Sequence, residues 1–312
     1  MRPAWSVLLL TTLIGAGQGL FLALFALDAW DAARGQASLA PWFVAAAVFG
    51  SLGLSGAGLL ASFFHLGHPE RAWRSAAMWR TSWLSREVIV LPAFMAAVFA
   101  WGLAHYAGLP REATLWIGAA GALLAGALFV CTGMVYACLK FLQEWHSPLT
   151  VLNYAALGTA SGLTAAATLA AWLHPALARV CVAAALVVGV LAYLMRLMAL
   201  ARNARLRPKS TLATAIGVKH PGIAQIAQGA MGGSFNTREF FHGRPREVVR
   251  AVRWIFLALT FPVPAVLLMF LPDSKAMLPV AFALQFAGLL AERWYFFAEA
   301  NHPQNLYYQA IS

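Results

Sequence analysis

The sequence predicts an all-α integral membrane protein, a bundle of eight transmembrane helices, and three observations predict it. Of 312 residues, 61% are hydrophobic and only 11% are charged, against about 45–50% and about 25% in soluble domains. Such a chain cannot cover itself with polar surface, so the excess must face lipid. A run of roughly 20 apolar residues crosses about 30 Å of hydrocarbon, and the sequence holds eight such runs. The Lys and Arg residues gather between the runs and at their ends, so the net charge of +11 reads as a topology signal and argues against nucleic-acid binding. The whole chain, 1–312, reads as one membrane domain.

The expected spans are 5–27, 42–64, 86–106, 113–138, 149–172, 176–199, 253–272 and 276–298. The first looks like a secretory signal, but its apolar run exceeds the 7–15 residues usual for one, and it is read as a retained span. Pro41, Pro148 and Pro175 stand before the second, fifth and sixth spans, where a missing N–H costs a helix nothing. Gly15, Gly17 and Gly19 in the first span, and Gly50, Gly53, Gly56 and Gly58 in the second, suit close helix–helix approach.

Sidedness is read from basic residues. Sixteen Lys and Arg belong to the connections after spans two, four and six and their flanks, and six to the rest. This expectation places the basic loops in the cytoplasm and both termini opposite them, in the periplasm of a bacterial inner membrane. The connection at about 200–252 is longer than the 12–15 residues beyond which loops are usually functional or disordered. It opens on a basic run, ARNARLRPK, and includes Phe235, Phe240 and Phe241; it is expected to be an ordered docking surface for a partner.

Ionisable residues near a bilayer raise a functional hypothesis by default. His65 closes the second span and Glu87 opens the third. The segment between them interleaves Arg71, Arg74, Arg80 and Arg86 with Trp73, Trp79 and Trp83, a mixture suited to the headgroup layer. A quinone site needs donors to two carbonyl oxygens and groups that pass protons. Imidazole titrates near neutrality, and burial raises a carboxylate toward the working pH. The bland alternatives are that Glu87 complements a helix dipole and His65 is merely interfacial. Glu144, His146 and Asn153 cluster at the start of span five and are candidates for the same pocket. Gln18 and Gln285 lie deep in spans one and eight, where helix–helix hydrogen bonding or a cavity would use them. Glu292 and Arg293 are expected to pair or to reach the outer interface.

Cys131, Cys138 and Cys181 fall in apolar runs without a CxxC, so no metal held by this chain is expected. The eight His lie at span ends or in loops, with His105, His174 and His302 assigned to the outer side. None is placed to hold haem b at mid-membrane, which disfavours that cofactor and leaves a single haem near the cytoplasmic face as the alternative.

The run SFFHLGHPERAWRSAAMWRTSWLSREVIVLPAF resembles the stretch joining helices two and three of DmsC-type anchors, the membrane subunits of complex iron–sulfur molybdoenzymes. TGMVYACLKFLQEWHSPLTVLNY, GGSFNTREFFHG and AERWYFFAEANHPQNLYYQ resemble one branch, the anchor of quinone-linked sulfite dehydrogenase. The resemblance implies eight spans with out-facing termini, a quinone (ubiquinone or menaquinone) as redox partner, and His65 and Glu87 at its binding site. It also implies two partner subunits, one with molybdopterin and one with iron–sulfur clusters, docking on the cytoplasmic basic loops. The expected function is transfer of electrons from sulfite oxidation to quinone. The alternatives are the anchor of a sulfoxide or oxyanion reductase fed by quinol, and a small secondary transporter, which the crowding of charges at the membrane faces disfavours.

Overall fold

A computed structural model describes residues 1–36, 39–220, 222–224, 226 and 240–306. The described chain is helical without strands. Its helices are α1 (Trp5–Ala33), α2 (Pro41–Phe63), α3 (Trp83–Tyr106), α4 (Arg111–Ala137), α5 (Pro148–Leu173), α6 (Pro175–Asn203), the short α7 (Leu212–Ile216), α8 (Arg246–Thr260), α9 (Pro262–Phe270) and α10 (Met277–Glu299). Among the described residues, seven segments are long and apolar enough to cross a membrane, α8 and α9 counting together as one. The 23-residue α10 carries Glu292 and Arg293, both buried. Large side chains such as Phe49 (84% exposed) and Leu123 (77% exposed) stand on the outside, as lipid-facing helices require.

Local chemistry sets the helix ends. Pro41, Pro148 and Pro175 each occupy the first helical position. Ser82 caps α3 by accepting from the Ser85 N–H at 3.3 Å, and Ser147 caps α5 through the Leu149 N–H at 3.2 Å. The expected single span at 253–272 is broken at Phe261. Pro262 and Pro264 supply no N–H to the turn before them, so the helix restarts as α9. Upstream it begins earlier than expected, at Arg246, and places Arg246, Arg250 and Arg253 on one face at helical spacing.

α1 and α5 run through the centre of the bundle. They cross where side chains vanish: a Cβ on Gly162 would lie 2.0 Å from the Gly19 carbonyl carbon, and one on Gly19 would lie 2.1 Å from the Gly158 oxygen. Gly17 and Gly58 also pack tightly between α1 and α2, whereas Gly53 has nothing within 4 Å.

The expectation that the termini lie opposite the basic loops is corrected. The Met1 amino group donates to the Ala300 carbonyl at 2.8 Å. Trp145, in the loop after α4, donates to the Phe296 carbonyl at 2.9 Å. Arg202, at the end of α6, donates to Gln143 and His146 carbonyls, each at 3.0 Å. Both termini therefore share one end with the connections after α2, α4 and α6. The reason is helix count: two helices separate the N-terminus from the connection after α2, and α8–α9 followed by α10 bring the chain back after α6. His302 belongs here too, stacked on Phe240 at 3.7 Å, not on the opposite side.

The correction sharpens the charge asymmetry. At the far end, Arg111 binds the Asp28 and Gln36 carbonyls, Arg179 binds Asp273, and Trp172 donates to the Lys275 carbonyl. That end holds Arg34, Arg111, Arg179 and Lys275 against Asp28, Asp31, Glu112 and Asp273, four of each sign. The net charge of +11 thus belongs to the end with the termini.

Candidate functional site

The polar interior of the bundle lies toward the basic end. Glu87, one turn into α3, is half-buried and accepts from Thr132 Oγ1 of α4 at 2.6 Å. It lines a cavity of about 20 Å³ with Thr11, Thr12 and Gln18 of α1, Tyr154 and Ser161 of α5, and Arg293 of α10. Gln18 is 1% exposed and donates to the Ala125 carbonyl at 2.9 Å, so it both bridges helices and lines the cavity. About 20 Å³ admits little more than one water, so this space suits proton exchange at Glu87 and cannot take a quinone ring.

Next to it is a buried ion cluster. Glu292 sits between two guanidiniums, with Arg196 Nε 2.8 Å from Oε1 and Arg293 Nε 2.7 Å from Oε2, and all three are at most 4% exposed. Breaking such a group by removing one partner costs far more than the pairing contributes. The Arg293 guanidinium lies 3.9 Å from the Tyr154 ring centre, and Tyr154 stacks on Tyr136 at 5.7 Å. Glu292 and Arg293 do pair, as expected, but inside the bundle and not at the outer interface. Among the residues missed from sequence are Arg196, Tyr136, Thr132 and Tyr154. Arg196 left a legible sign, a charge within an apolar run.

Tyr154 and Arg293 also line a second polar cavity, about 10 Å³, with Glu144, Asn153, Arg196, Arg202 and Asn203. Two of the three residues expected to cluster at the start of α5 therefore meet here. The third, His146, is exposed and ties its Nδ1 to the Ala137 carbonyl at 2.6 Å.

His65 lies on the exposed turn after α2, makes no side-chain hydrogen bond among the described residues, and does not line the Glu87 cavity. Partial burial of its ring lowers its pKa from the ordinary value, which favours neutral imidazole near pH 7. Arg86 is held by its own loop: it donates to the Trp79 and Arg80 carbonyls at 2.9 and 2.8 Å and lies 4.3 Å from the Trp83 ring centre. Arg71 pairs with Glu70 at 3.7 Å, and Trp73 is 74% exposed. These three residues shape and expose the loop and contribute nothing to the cavity wall.

The long connection behaves differently from expectation in part. Phe241 is buried, and Phe240 stacks on His302, so both rings are used within the chain. Phe235 lies outside the described residues, as does most of the segment GGSFNTREFFHG. The exposed residues nearby include the basic Arg205, Arg246 and Arg250 and the apolar Val218 and Ile226.

One helix broken at Phe261, a buried charge cluster and one strongly basic end characterise this multi-pass membrane protein. Residues 1–307 match the family described as DMSO reductase anchor subunit (DmsC), and the chain belongs to that family. It is 52% identical to a sulfite dehydrogenase subunit from Allochromatium vinosum, with the whole of both chains covered.

Proposed function

We propose that this chain is the membrane anchor and quinone-reacting subunit of a molybdopterin and iron–sulfur oxidoreductase complex. In this reading it passes electrons from cytoplasmic sulfite oxidation to the quinone pool. The observation that carries it is the placing of Glu87 against a water-sized polar cavity at the end that holds the entire net charge. Family membership and the sulfite dehydrogenase relative support the anchor role and the substrate.

α10 is the eighth span in this account, its charged residues hidden from lipid by pairing inside the bundle. The basic end faces the cytoplasm by charge bias, and the termini lie there with it. An iron–sulfur partner docks on that end, against the exposed Arg205 region and the basic face of α8. A molybdopterin subunit lies beyond it.

Bound quinone supplies two-electron, two-proton redox chemistry. The His65 imidazole, neutral near pH 7, hydrogen-bonds one quinone oxygen from the exposed turn after α2. Glu87 exchanges protons with that site from the other side, and Thr132 fixes its carboxyl. The ring is received outside the Glu87 cavity, toward the Trp-rich loop that Arg86 braces. The family's name keeps a second direction in view, in which quinol feeds a sulfoxide reductase.

The test is a mild-detergent purification of the tagged chain from its native membrane. Molybdenum and iron should co-purify, be reduced by sulfite and be reoxidised by added quinone. Glu87→Gln and His65→Ala should each lower quinone-dependent turnover by at least about tenfold. Unchanged turnover in both would remove the site assignment, and reduction by quinol with oxidation by a sulfoxide would reverse the direction.

A further inference from the structure

Tyr154 and Arg293 form the wall between two polar cavities, one reaching Glu87 and the other reaching Glu144 at the loop end. Two buried atoms around that wall, Asn153 Oδ1 and Arg196 Nη2, lack a hydrogen-bond partner among the described residues. Buried polar atoms in this state normally bind ordered water, and the cavities, about 20 and about 10 Å³, are of that scale. Glu144 is only half-buried, so the second cavity has a carboxyl at its outer edge.

We propose that the two cavities are one proton path, entered at Glu144, passing Asn153 and Tyr154, and ending at Glu87. Resting on the quinone reading, it gives Glu87 a source of protons other than the quinone site itself. Each quinone reduced takes two electrons from the docked partner and two protons through Glu87. Glu87 is recharged by proton transfer along water and the Tyr154 hydroxyl. The fixed charges beside the path, Arg196 and Arg293 around Glu292, leave one excess positive charge. That excess opposes entry of metal cations, while a proton handed between hydrogen-bonded partners need not traverse the site as a free ion.

Glu144→Gln keeps the shape of a half-exposed side chain, and Asn153→Leu fills the second cavity without touching Glu87. Both would be assayed in the intact purified complex with a short-chain ubiquinone, beside Glu87→Gln. The control is reduction of the partner's clusters by sulfite, which should be unchanged in all three. The expected result is a fall of at least about tenfold in kcat for Glu144→Gln and Asn153→Leu. KM for quinone should stay constant, the solvent deuterium isotope effect should grow, and millimolar formate should partly rescue Glu144→Gln. Wild-type kcat and isotope effect in both variants, with Glu87→Gln inactive, would overturn the path and leave the quinone reading intact. Full activity of Glu87→Gln would overturn the reading and the path together.

Discussion

The two ends of this bundle both bury charge, and they do so in opposite ways. At the neutral end, Asp28 is fully buried between His105 Nε2 at 3.2 Å and Arg111 Nη2 at 3.4 Å. Arg111 also takes the Asp28 carbonyl at 2.8 Å, which ties α1, α3 and α4 together. The acid there has ion-pair partners on two helices, and neither polar cavity touches it. At the basic end, Glu292 holds two guanidiniums, and two cavities adjoin them. The difference teaches that buried charge alone does not mark the working end. Both clusters leave polar atoms without a hydrogen bond among the described residues, Asp28 Oδ2, His105 Nε2 and Arg111 Nε at one end and Asn153 Oδ1 and Arg196 Nη2 at the other, and what separates them is that the basic-end cluster lines the two water-sized polar cavities.

Substitutions at each end sharpen that contrast. Glu292→Leu leaves two buried guanidiniums without a counter-charge and should cost about 3–5 kcal/mol, read as a large drop in thermal stability in detergent. The seam between the ends comes next. Gly162→Ala drives a methyl into the Gly19 backbone, and overpacking of this kind costs about 1–3 kcal/mol. Asp28→Asn should cost about 1–2 kcal/mol, near the value of a charged hydrogen bond, because Arg111 is 26% exposed and can turn toward the headgroups. A loss for Asp28→Asn equal to that for Glu292→Leu would break the comparison.

The smallest effect belongs to Arg179→Ala. The Arg179–Asp273 pair is exposed, where such pairs contribute little. Hydrogen bonding to Arg179 holds the Asp273 carboxyl below its usual range. A carboxyl with a depressed folded pKa contributes stability above its unfolded pKa and loses it as pH falls through the folded value. Both values are acidic, so melting curves of the wild type and Arg179→Ala should run parallel between roughly pH 6 and pH 8.

Much of the fold was legible in the sequence because lipid imposes a length on every span. Each expected span overlaps an observed helix. The break at Phe261 was written in Pro262 and Pro264 but is hidden when hydropathy alone is read. Charge segregation was also legible, and the error lay in following it without counting crossings, which misplaced the termini and His302. In the site, Glu87, Gln18, Glu144 and Asn153 were singled out as polar groups at or within apolar runs, and the structure brings them to two adjoining cavities. Tyr136 and Tyr154 could not be singled out, since an aromatic in a span is ordinarily lipid-facing or core. The three-way cluster of Arg196, Glu292 and Arg293 needed Arg196 of α6 brought to Glu292 of α10, which no local pattern contains. His65 was expected beside Glu87 on chemistry, and the fold keeps it on the exposed turn.

The central claim is that the basic end is the working end, and site-specific crosslinking in native membranes tests it most directly. Trp73→Cys and Arg205→Cys at the basic end, and Gln36→Cys and Ser274→Cys at the neutral end, would be placed in a Cys138→Ser background. Each would then be treated with a short thiol-to-amine crosslinker. The account predicts an adduct with an iron-containing partner from the first two positions and none from the last two. Adducts from Gln36→Cys or Ser274→Cys, with none from Trp73→Cys or Arg205→Cys, would contradict it.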